Sequence, residues 1–259
     1  YGDLSARVTQ VLHGYSPRLD VYSIDETFVD LSGFGERMEA HAARMRQAVR
    51  TQVGILTCVG IAPTKTLAKL ANYAAKKNPI FGGVCNLMNP QVRDYVMSRI
   101  PIGEIWGVGP ATEAKLIAQG VRTAAALRDL PMALSRKIGT VVLERLVAEL
   151  RGIACIDFED VPPQRKGMAV TRSSGTPMTT FDVLAQAVTA HATRAAEKLR
   201  QHELVAGTLT VFFHTNPHKP DRPQHSASRS VRLRPMSNHT FDLVDAAVSA
   251  ARRGWRGDP

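Results

Sequence analysis

The spacing of hydrophobic residues changes along the chain and predicts strands and helices in turn. In residues 19–31, LDVYSIDETFVDL, apolar β-forming residues are interspersed with polar ones, a pattern typical of extended structure. Residues 35–51 place apolar side chains at helical spacing, which predicts an amphipathic helix. An apolar run at 55–61, a helical pattern at 64–77 and a short apolar segment at 84–87 together predict an α/β unit.

The remainder of the chain predicts a different organisation. Residues 99–151 have the pattern of short helices interrupted at glycines. The polar stretch 157–166, which contains Pro162-Pro163, is typical of an interdomain linker. Beyond it the pattern predicts a long helix, two strands and a final helix, at 180–202, 204–214, 226–234 and 241–252. This order predicts a small sheet covered on one face by two helices.

Composition excludes several classes of protein. The 259 residues are 44% hydrophobic and 22% charged, which is ordinary for a globular protein and excludes disorder as the main state. No apolar run approaches the ~18 residues that a membrane-spanning helix needs, so no membrane partner is expected. The widely separated Cys58, Cys85 and Cys155 predict neither a disulfide framework nor a Cys-x-x-Cys metal site, and indicate a reducing, cytoplasmic compartment.

Positive charge is concentrated in the C-terminal third. Of the formal net charge of +10, residues 1–163 contribute 19 basic against 16 acidic side chains, and residues 164–259 contribute 14 against 7. Such an excess is expected for a surface that faces a polyanion such as nucleic acid. Charge alone equally fits a basic face with no specific partner.

Asp25 and Glu26 form an acidic pair flanked on both sides by apolar strand-forming residues. Adjacent side chains of a regular strand point to opposite faces, so the two carboxylates can converge only at a bend or a hairpin end. A divalent cation would compensate their charge, and oxygen ligands suit Mg²⁺. The alternative is a surface turn that carries two solvated acids, and the motif alone leaves both open.

A row of lysines follows in the predicted helix GIAPTKTLAKLANYAAKK. Lys65, Lys69 and Lys76 fall on one line along the helix, opposite small apolar residues, so the helix is expected to present all three. Such a row suits a triphosphate or a nucleic-acid backbone, although a solvated lysine face is common. Carboxylates for metal together with lysines for phosphate favour phosphoryl or nucleotidyl transfer.

Two further patterns point to a nucleic-acid backbone. Gly107-Val108-Gly109 lies between predicted short helices, as in a helix-hairpin-helix, where backbone N–H groups bind phosphate; a plain turn is the alternative. In residues 226–234 the even positions are serine or arginine and include Arg232 and Arg234, whereas the odd positions are largely apolar. This alternation predicts a half-buried strand with an open basic face for contacts to DNA phosphates.

The motifs YSIDETFVDLSG, GIAPTKTLAKLANYAAKK and IWGVG, in this order, resemble those of the Y-family translesion DNA polymerases. LERLVAELRG and TRAAEKLRQHE are particularly similar to the UmuC-type catalytic subunit of bacterial DNA polymerase V. The resemblance implies an α+β fold with a partial polymerase palm, a helical helix-hairpin-helix thumb and a truncated little finger of a small β-sheet and two helices. The corresponding ranges are 1–97, 98–160 and 161–259.

The resemblance also implies a role for each motif. Asp25 and Glu26 correspond to catalytic carboxylates that bind two Mg²⁺ ions, and Lys76 corresponds to the lysine that contacts the incoming deoxynucleoside triphosphate. Lys65 and Lys69 correspond to basic positions earlier on the same helix and are also predicted to bind the nucleotide. The Gly107–Gly109 hairpin corresponds to the part of the thumb that holds the primer backbone. The implied reaction is template-directed DNA synthesis past damaged bases, as in SOS-type repair. Implied partners are primed, damaged DNA, a UmuD-like dimer, a recombinase filament and the sliding clamp, in a bacterial cytoplasm near the nucleoid.

The sequence departs from the family at its ends. The family's first metal-binding aspartate, its steric-gate aromatic residue and its fingers would precede residue 1, so this chain alone is expected to be inactive. The alternative to an enzyme is a non-catalytic, DNA-binding relative that acts as a scaffold. Such relatives lose the acidic pair, which Asp25 and Glu26 retain here. A helix-hairpin-helix repair nuclease would not need the lysine row.

Overall fold

Helices and short strands alternate through the chain, in agreement with the predicted α+β class. The computed structural model describes residues 1–159, 166–219 and 221–257. The chain divides into two units, Tyr1–Pro163 and Gln164–Pro259. The predicted linker 157–166 includes this division, but its central residues lie outside the described ranges. None of the described helices is long and apolar enough to cross a membrane.

The first unit begins with a helix and a β-hairpin. Helix α1 (Gly2–His13) precedes strands β1 (Leu19–Val21) and β2 (Thr27–Val29), which pair antiparallel. Helix α2 (Met38–Val53) follows a short 3₁₀ turn, and its side chains pack with α1 and the hairpin. The extended structure predicted for 19–31 is therefore a hairpin with a turn in its middle.

The predicted α/β unit comes next. Strand β3 (Val59–Ile61) pairs in parallel with β4 (Val84–Asn86), and helix α3 (Lys65–Lys77) connects them. Thr64 caps α3 by accepting a hydrogen bond from the Leu67 N–H at 3.3 Å. The observed strand β3 is shorter than the predicted run at 55–61.

Gly60 in β3 allows the backbone of α3 to approach very closely. A Cβ atom at this position would lie 2.1 Å from the carbonyl oxygen of Ala68 and 2.3 Å from the amide nitrogen of Asn72. Both neighbours are backbone atoms of a helix and cannot rotate away. The absence of a side chain at Gly60 therefore permits the lysine-bearing helix to pack directly against the strand.

Four helices complete the first unit: α4 (Pro90–Met97), α5 (Pro110–Ala118), α6 (Ala124–Arg128) and α7 (Met132–Leu150). They share one continuous hydrophobic core with α3 and β4, and its fully buried members include Leu67, Leu87, Met97, Leu116, Leu127, Leu143 and Leu150. The predicted palm (1–97) and thumb (98–160) thus contribute to the same core, and the boundary between them stays a prediction.

The second unit is a two-stranded sheet with two helices. Helix α8 (Phe181–Gln201) precedes strands β5 (Ala206–His214) and β6 (Ser226–Ser237), and helix α9 (Thr240–Gly254) ends the unit. The strands pair antiparallel, and both helices pack on the same sheet. This arrangement confirms the small sheet and two helices predicted from the sequence.

Candidate active site in the first unit and basic face of the second

The acidic pair lies on the turn that joins β1 to β2. The Ser23 N–H donates to the Glu26 carbonyl oxygen at 3.0 Å, which closes the turn. The Ser23 hydroxyl donates to Oδ1 of Asp25 at 2.7 Å and orients that exposed carboxylate. Both acids therefore occupy a hairpin end, the one location from which adjacent carboxylates can serve a common site.

Lys69 of α3 lies directly beside this turn. Its ammonium group donates to Oε2 of Glu26 at 2.9 Å. The same ammonium lies 4.7 Å from the ring centroid of Tyr22 and 4.9 Å from that of Trp106. Aromatic faces attract a cation and shield it partly from water, so Lys69 is held in place by contacts of two kinds.

Lys65 and Lys76 differ in exposure. The side chain of Lys76 is exposed, whereas Lys65 is only 7% exposed and forms a buried ion pair with Asp20. The expectation that the helix presents three lysines is therefore wrong for Lys65. The helical phase places Lys65 on the predicted line, but its ammonium pairs with Asp20 of β1 and lies 5.0 Å from the ring centroid of Phe28 in β2.

One cleft contains the acids and the lysines. It has a volume of about 1260 Å³ and lies within the first unit. The residues lining it include Asp25, Glu26, Lys65, Lys69, Lys76 and Trp106. Carboxylates and ammonium groups in one cleft match what a metal-bound triphosphate requires.

The fit of Mg²⁺ to this cleft depends on the oxygen atoms available. In the described residues no group of three or more His, Cys, Asp or Glu side chains could hold a metal ion. Asp25 and Glu26 nevertheless offer adjacent carboxylates on one turn. Mg²⁺ in proteins is commonly bound by one or two carboxylates, and substrate phosphates and water complete its octahedron. The donor set fits Mg²⁺ held together with a nucleotide.

The glycine hairpin lies at the start of helix α5. Gly107 has a φ of +92°, and Gly109 precedes Pro110, the first residue of the helix. The Val108 N–H donates to the Ile105 carbonyl oxygen at 2.9 Å, whereas the N–H groups of the two exposed glycines donate no hydrogen bond in the described part of the chain. These N–H groups suit a phosphate oxygen.

Glu149 is a buried acid that the sequence analysis did not identify as important. Its carboxylate is fully buried and accepts hydrogen bonds from the N–H groups of Thr66 at 3.1 Å, Cys155 at 2.5 Å and Ile156 at 3.2 Å. The acid therefore compensates the partial positive charge at the N-terminus of α3 and fixes the start of the lysine helix. Its signal in the sequence is a glutamate within the otherwise apolar stretch 146–150, LVAEL.

The open face of the second unit has the predicted composition. Arg232 and Arg234 are exposed and Leu233 between them is buried. Across the sheet, Thr208 pairs with Arg232, and the hydroxyl oxygens of Thr210 and Ser230 are 2.8 Å apart. One face of the sheet therefore presents hydroxyl and guanidinium groups, as predicted.

Comparison with known proteins agrees with these features. Residues 1–73 match the impB/mucB/samB family, and residues 165–259 match the C-terminal domain of the same family. The chain is 39% identical over 260 residues to Protein MucB of Salmonella typhimurium, covering 100% of this chain and 62% of that protein. It is 37% identical over 259 residues to Protein UmuC of Salmonella typhimurium, covering 99% of this chain and 61% of that protein.

Solved structures show the same fold. A chimera of the Y-family DNA polymerases Dbh and Dpo4 matches with a TM-score of 0.71 at 20% identity, over 98% of this chain and 70% of that chain. An insertion ternary complex of Dbh DNA polymerase matches with a TM-score of 0.53 at 19% identity, over 98% and 70% of the two chains. The chain spans about three fifths of the length of the curated relatives it matches. It belongs to the impB/mucB/samB family and has the fold of the Y-family DNA polymerases.

Proposed function

We propose that the whole protein is an error-prone translesion DNA polymerase of the UmuC type, which extends a primer past damaged bases. The observation that carries this proposal is the contact between the acidic turn and the lysine helix within one cleft, through Glu26 and Lys69. The family assignment and the names of the relatives support it. In this proposal the whole protein binds primed, damaged DNA and deoxynucleoside triphosphates, and it works in the bacterial cytoplasm near the nucleoid.

Each group in the cleft has a role in the proposed reaction. Asp25 and Glu26 would hold Mg²⁺, which stabilises the attacking primer oxygen and the leaving pyrophosphate. Lys69 and Lys76 would bind the negative charge of the triphosphate. Gly107 and Gly109 would bind a phosphate of the primer strand through their free N–H groups. Arg232 and Arg234 would contact the DNA backbone from the second unit.

Three finer points belong to the same proposal. Two Mg²⁺ ions act together in the whole enzyme, since in-line displacement benefits from one metal on each reacting oxygen. The 259 residues alone are expected not to extend a primer, because the resemblance to the polymerase family implies a further metal-binding aspartate in addition to Asp25 and Glu26. The UmuD-like dimer, recombinase filament and sliding clamp are partners of the whole protein.

Primer extension across an abasic template with Mg²⁺ tests the proposal. The comparison includes the full-length protein, its Asp25→Ala variant and the 259-residue chain. We expect extension by the full-length protein alone. Binding of primed DNA without extension by the full-length protein would favour the non-catalytic scaffold instead.

A further inference from the structure

The segment Asp157–Glu159 docks on Lys65 and on strand β1. The Lys65 ammonium donates to the Asp157 carbonyl oxygen at 2.5 Å, and the Glu159 N–H donates to Oδ2 of Asp20 at 3.3 Å. Asp20 and Lys65 are each 7% exposed and form an ion pair with one another. The buried pair therefore contacts the backbone of this segment through both of its members.

The ring of Phe158 completes the contact. It lies 4.9 Å from the Lys65 ammonium and 5.0 Å from the guanidinium carbon of Arg18. The Lys65 ammonium is also 5.0 Å from the ring centroid of Phe28, and Phe28 lies opposite Asp20 in the pairing of β1 with β2. One ammonium group thus contacts both strands of the hairpin whose turn carries the acidic pair.

We infer that Lys65 is a positioning residue and does not bind the triphosphate. It holds the acidic hairpin against α3 and docks Asp157–Glu159 on that hairpin. An ammonium group has three N–H donors, and Asp20 and Asp157 already accept from two of them. Moving Lys65 towards a nucleotide would leave the buried Asp20 carboxylate without its cation, which is strongly unfavourable. The inference rests on the proposed function insofar as the hairpin carries the metal-binding acids.

Amide hydrogen exchange at Glu159, measured on the complete 259-residue chain, tests the docking. In the Lys65→Gln variant the carboxylate of Asp20 loses its cation, so exchange of the Glu159 N–H is expected to accelerate by about tenfold or more. The matched control is Lys76→Gln on the exposed end of the same helix, which should leave this exchange rate unchanged. Unchanged protection of Glu159 in Lys65→Gln overturns the inference.

A second variant guards against misfolding of the first. Lys65→Met combined with Asp20→Asn removes both buried charges together, which proteins tolerate better than the loss of one partner. We expect the double variant to fold and to show the same accelerated exchange at Glu159. If the folded double variant retains full protection there, the docking does not depend on the ion pair, and the inference is wrong.

Nucleotide affinity separates positioning from direct binding. With a fluorescent deoxynucleoside triphosphate and Mg²⁺, Lys76→Gln is expected to weaken binding by about tenfold, as for loss of one charge-assisted contact. In a chain that already carries Asp20→Asn, adding Lys65→Gln should not lower the nucleotide affinity further, because both residues act through the same contact. Additive losses would show that Lys65 binds the nucleotide itself. These affinities are measured on the full-length protein. If the full-length protein without substitutions fails to bind nucleotide, the proposed function is wrong, whereas the exchange at Glu159 still decides the docking.

Discussion

The Lys69 ammonium donates a 2.9 Å hydrogen bond to the Glu26 carboxylate and so connects the lysine helix to the acidic turn. The side chains are 20% and 40% exposed, which keeps the pair accessible from the cleft. Trp106, which precedes the glycine hairpin, contacts the same ammonium and donates from its indole nitrogen to the Tyr22 hydroxyl at 3.2 Å. Three motifs that are distant in sequence therefore meet at one cation.

The two ion pairs of α3 are expected to differ in their effect on stability. Asp20→Asn leaves the buried Lys65 charge unpaired and should lower the free energy of unfolding by about 3 kcal/mol or more. Glu26→Gln breaks the more exposed pair with Lys69 and should cost less than about 1 kcal/mol. Urea unfolding followed by tryptophan fluorescence, with Trp255→Phe in every variant so that Trp106 alone reports, provides the measurement. Equal losses in the two variants would contradict the assigned difference in burial.

Glu149→Gln tests the buried acid behind the lysine helix. A glutamine offers one carbonyl oxygen to the N–H groups of Thr66, Cys155 and Ile156, and its own N–H₂ group would face other donors. We expect the free energy of unfolding to fall by about 2–3 kcal/mol, as for lost hydrogen bonds to a charged group. The matched control is Glu144→Gln on the same helix, whose carboxylate pairs with an exposed arginine. A loss as small as that of the control would exclude the proposed role of Glu149 at the start of α3.

The acidic turn illustrates what the sequence could predict. Adjacent carboxylates flanked by strand-forming residues can converge on one site only at a bend, and the structure has a turn between β1 and β2. The alternating serines, arginines and apolar residues of β6 likewise predict its faces, because strand geometry alone decides which side chains share a face. Both predictions depend on local geometry only.

Lys65 illustrates what the sequence could not predict. Its carboxylate partner lies 45 residues earlier and its carbonyl partner 92 residues later. Helical periodicity gives the direction of the side chain but not the element that covers it. Helix α1 was not predicted, although Leu4, Val8, Val11 and Leu12 follow the spacing of one helical face. Helix α4 was not predicted either, although the sequence marks its start: Asn89 is its N-cap and Pro90 is its first residue.

The buried Cys85 thiol is expected to make the folded chain less stable at alkaline pH. Burial, with a smaller contribution from the Glu39 carboxylate, raises the pKa of the Cys85 thiol from 9.0 to about 11. The folded-state pKa of Cys85 lies above its unfolded value. The contribution of the neutral thiol to the free energy of unfolding is therefore complete below pH 9 and is lost as the pH rises through 11. We expect the wild-type chain to lose more stability than Cys85→Ala between these pH values.

Urea unfolding of both chains at a series of pH values measures this difference. The comparison with Cys85→Ala cancels the titration of groups common to the two chains, including Tyr73, whose pKa burial also raises. The same burial predicts that alkylation of Cys85 is much slower than that of the half-buried Cys58 and Cys155 in the folded protein. Parallel pH profiles for the two chains would contradict a buried neutral thiol at this position.

Arg232 and Arg229 lie on the same strand and provide a matched pair for testing the proposed DNA contact. Both side chains are exposed, but Arg232 shares the open face with Thr208, whereas Arg229 falls on the alternate face with the buried Leu233. If the open face meets the phosphate backbone, Arg232→Gln should weaken binding to primed DNA uniformly across sequences. The slope of log affinity against log salt concentration should then fall by about one unit.

Arg229→Gln removes the same charge from the same strand, so it controls for the change in net charge of the unit. Long-range attraction to DNA depends on net charge and affects both variants alike, whereas release of a condensed counterion requires a side chain at the phosphate. Titrations of fluorescent primed DNA at several salt concentrations therefore distinguish a contact from a general field. If the slope of log affinity against log salt concentration falls equally in both variants, the open face makes no specific contact with the DNA backbone. The two arginines then contribute only through the net positive charge of the second unit.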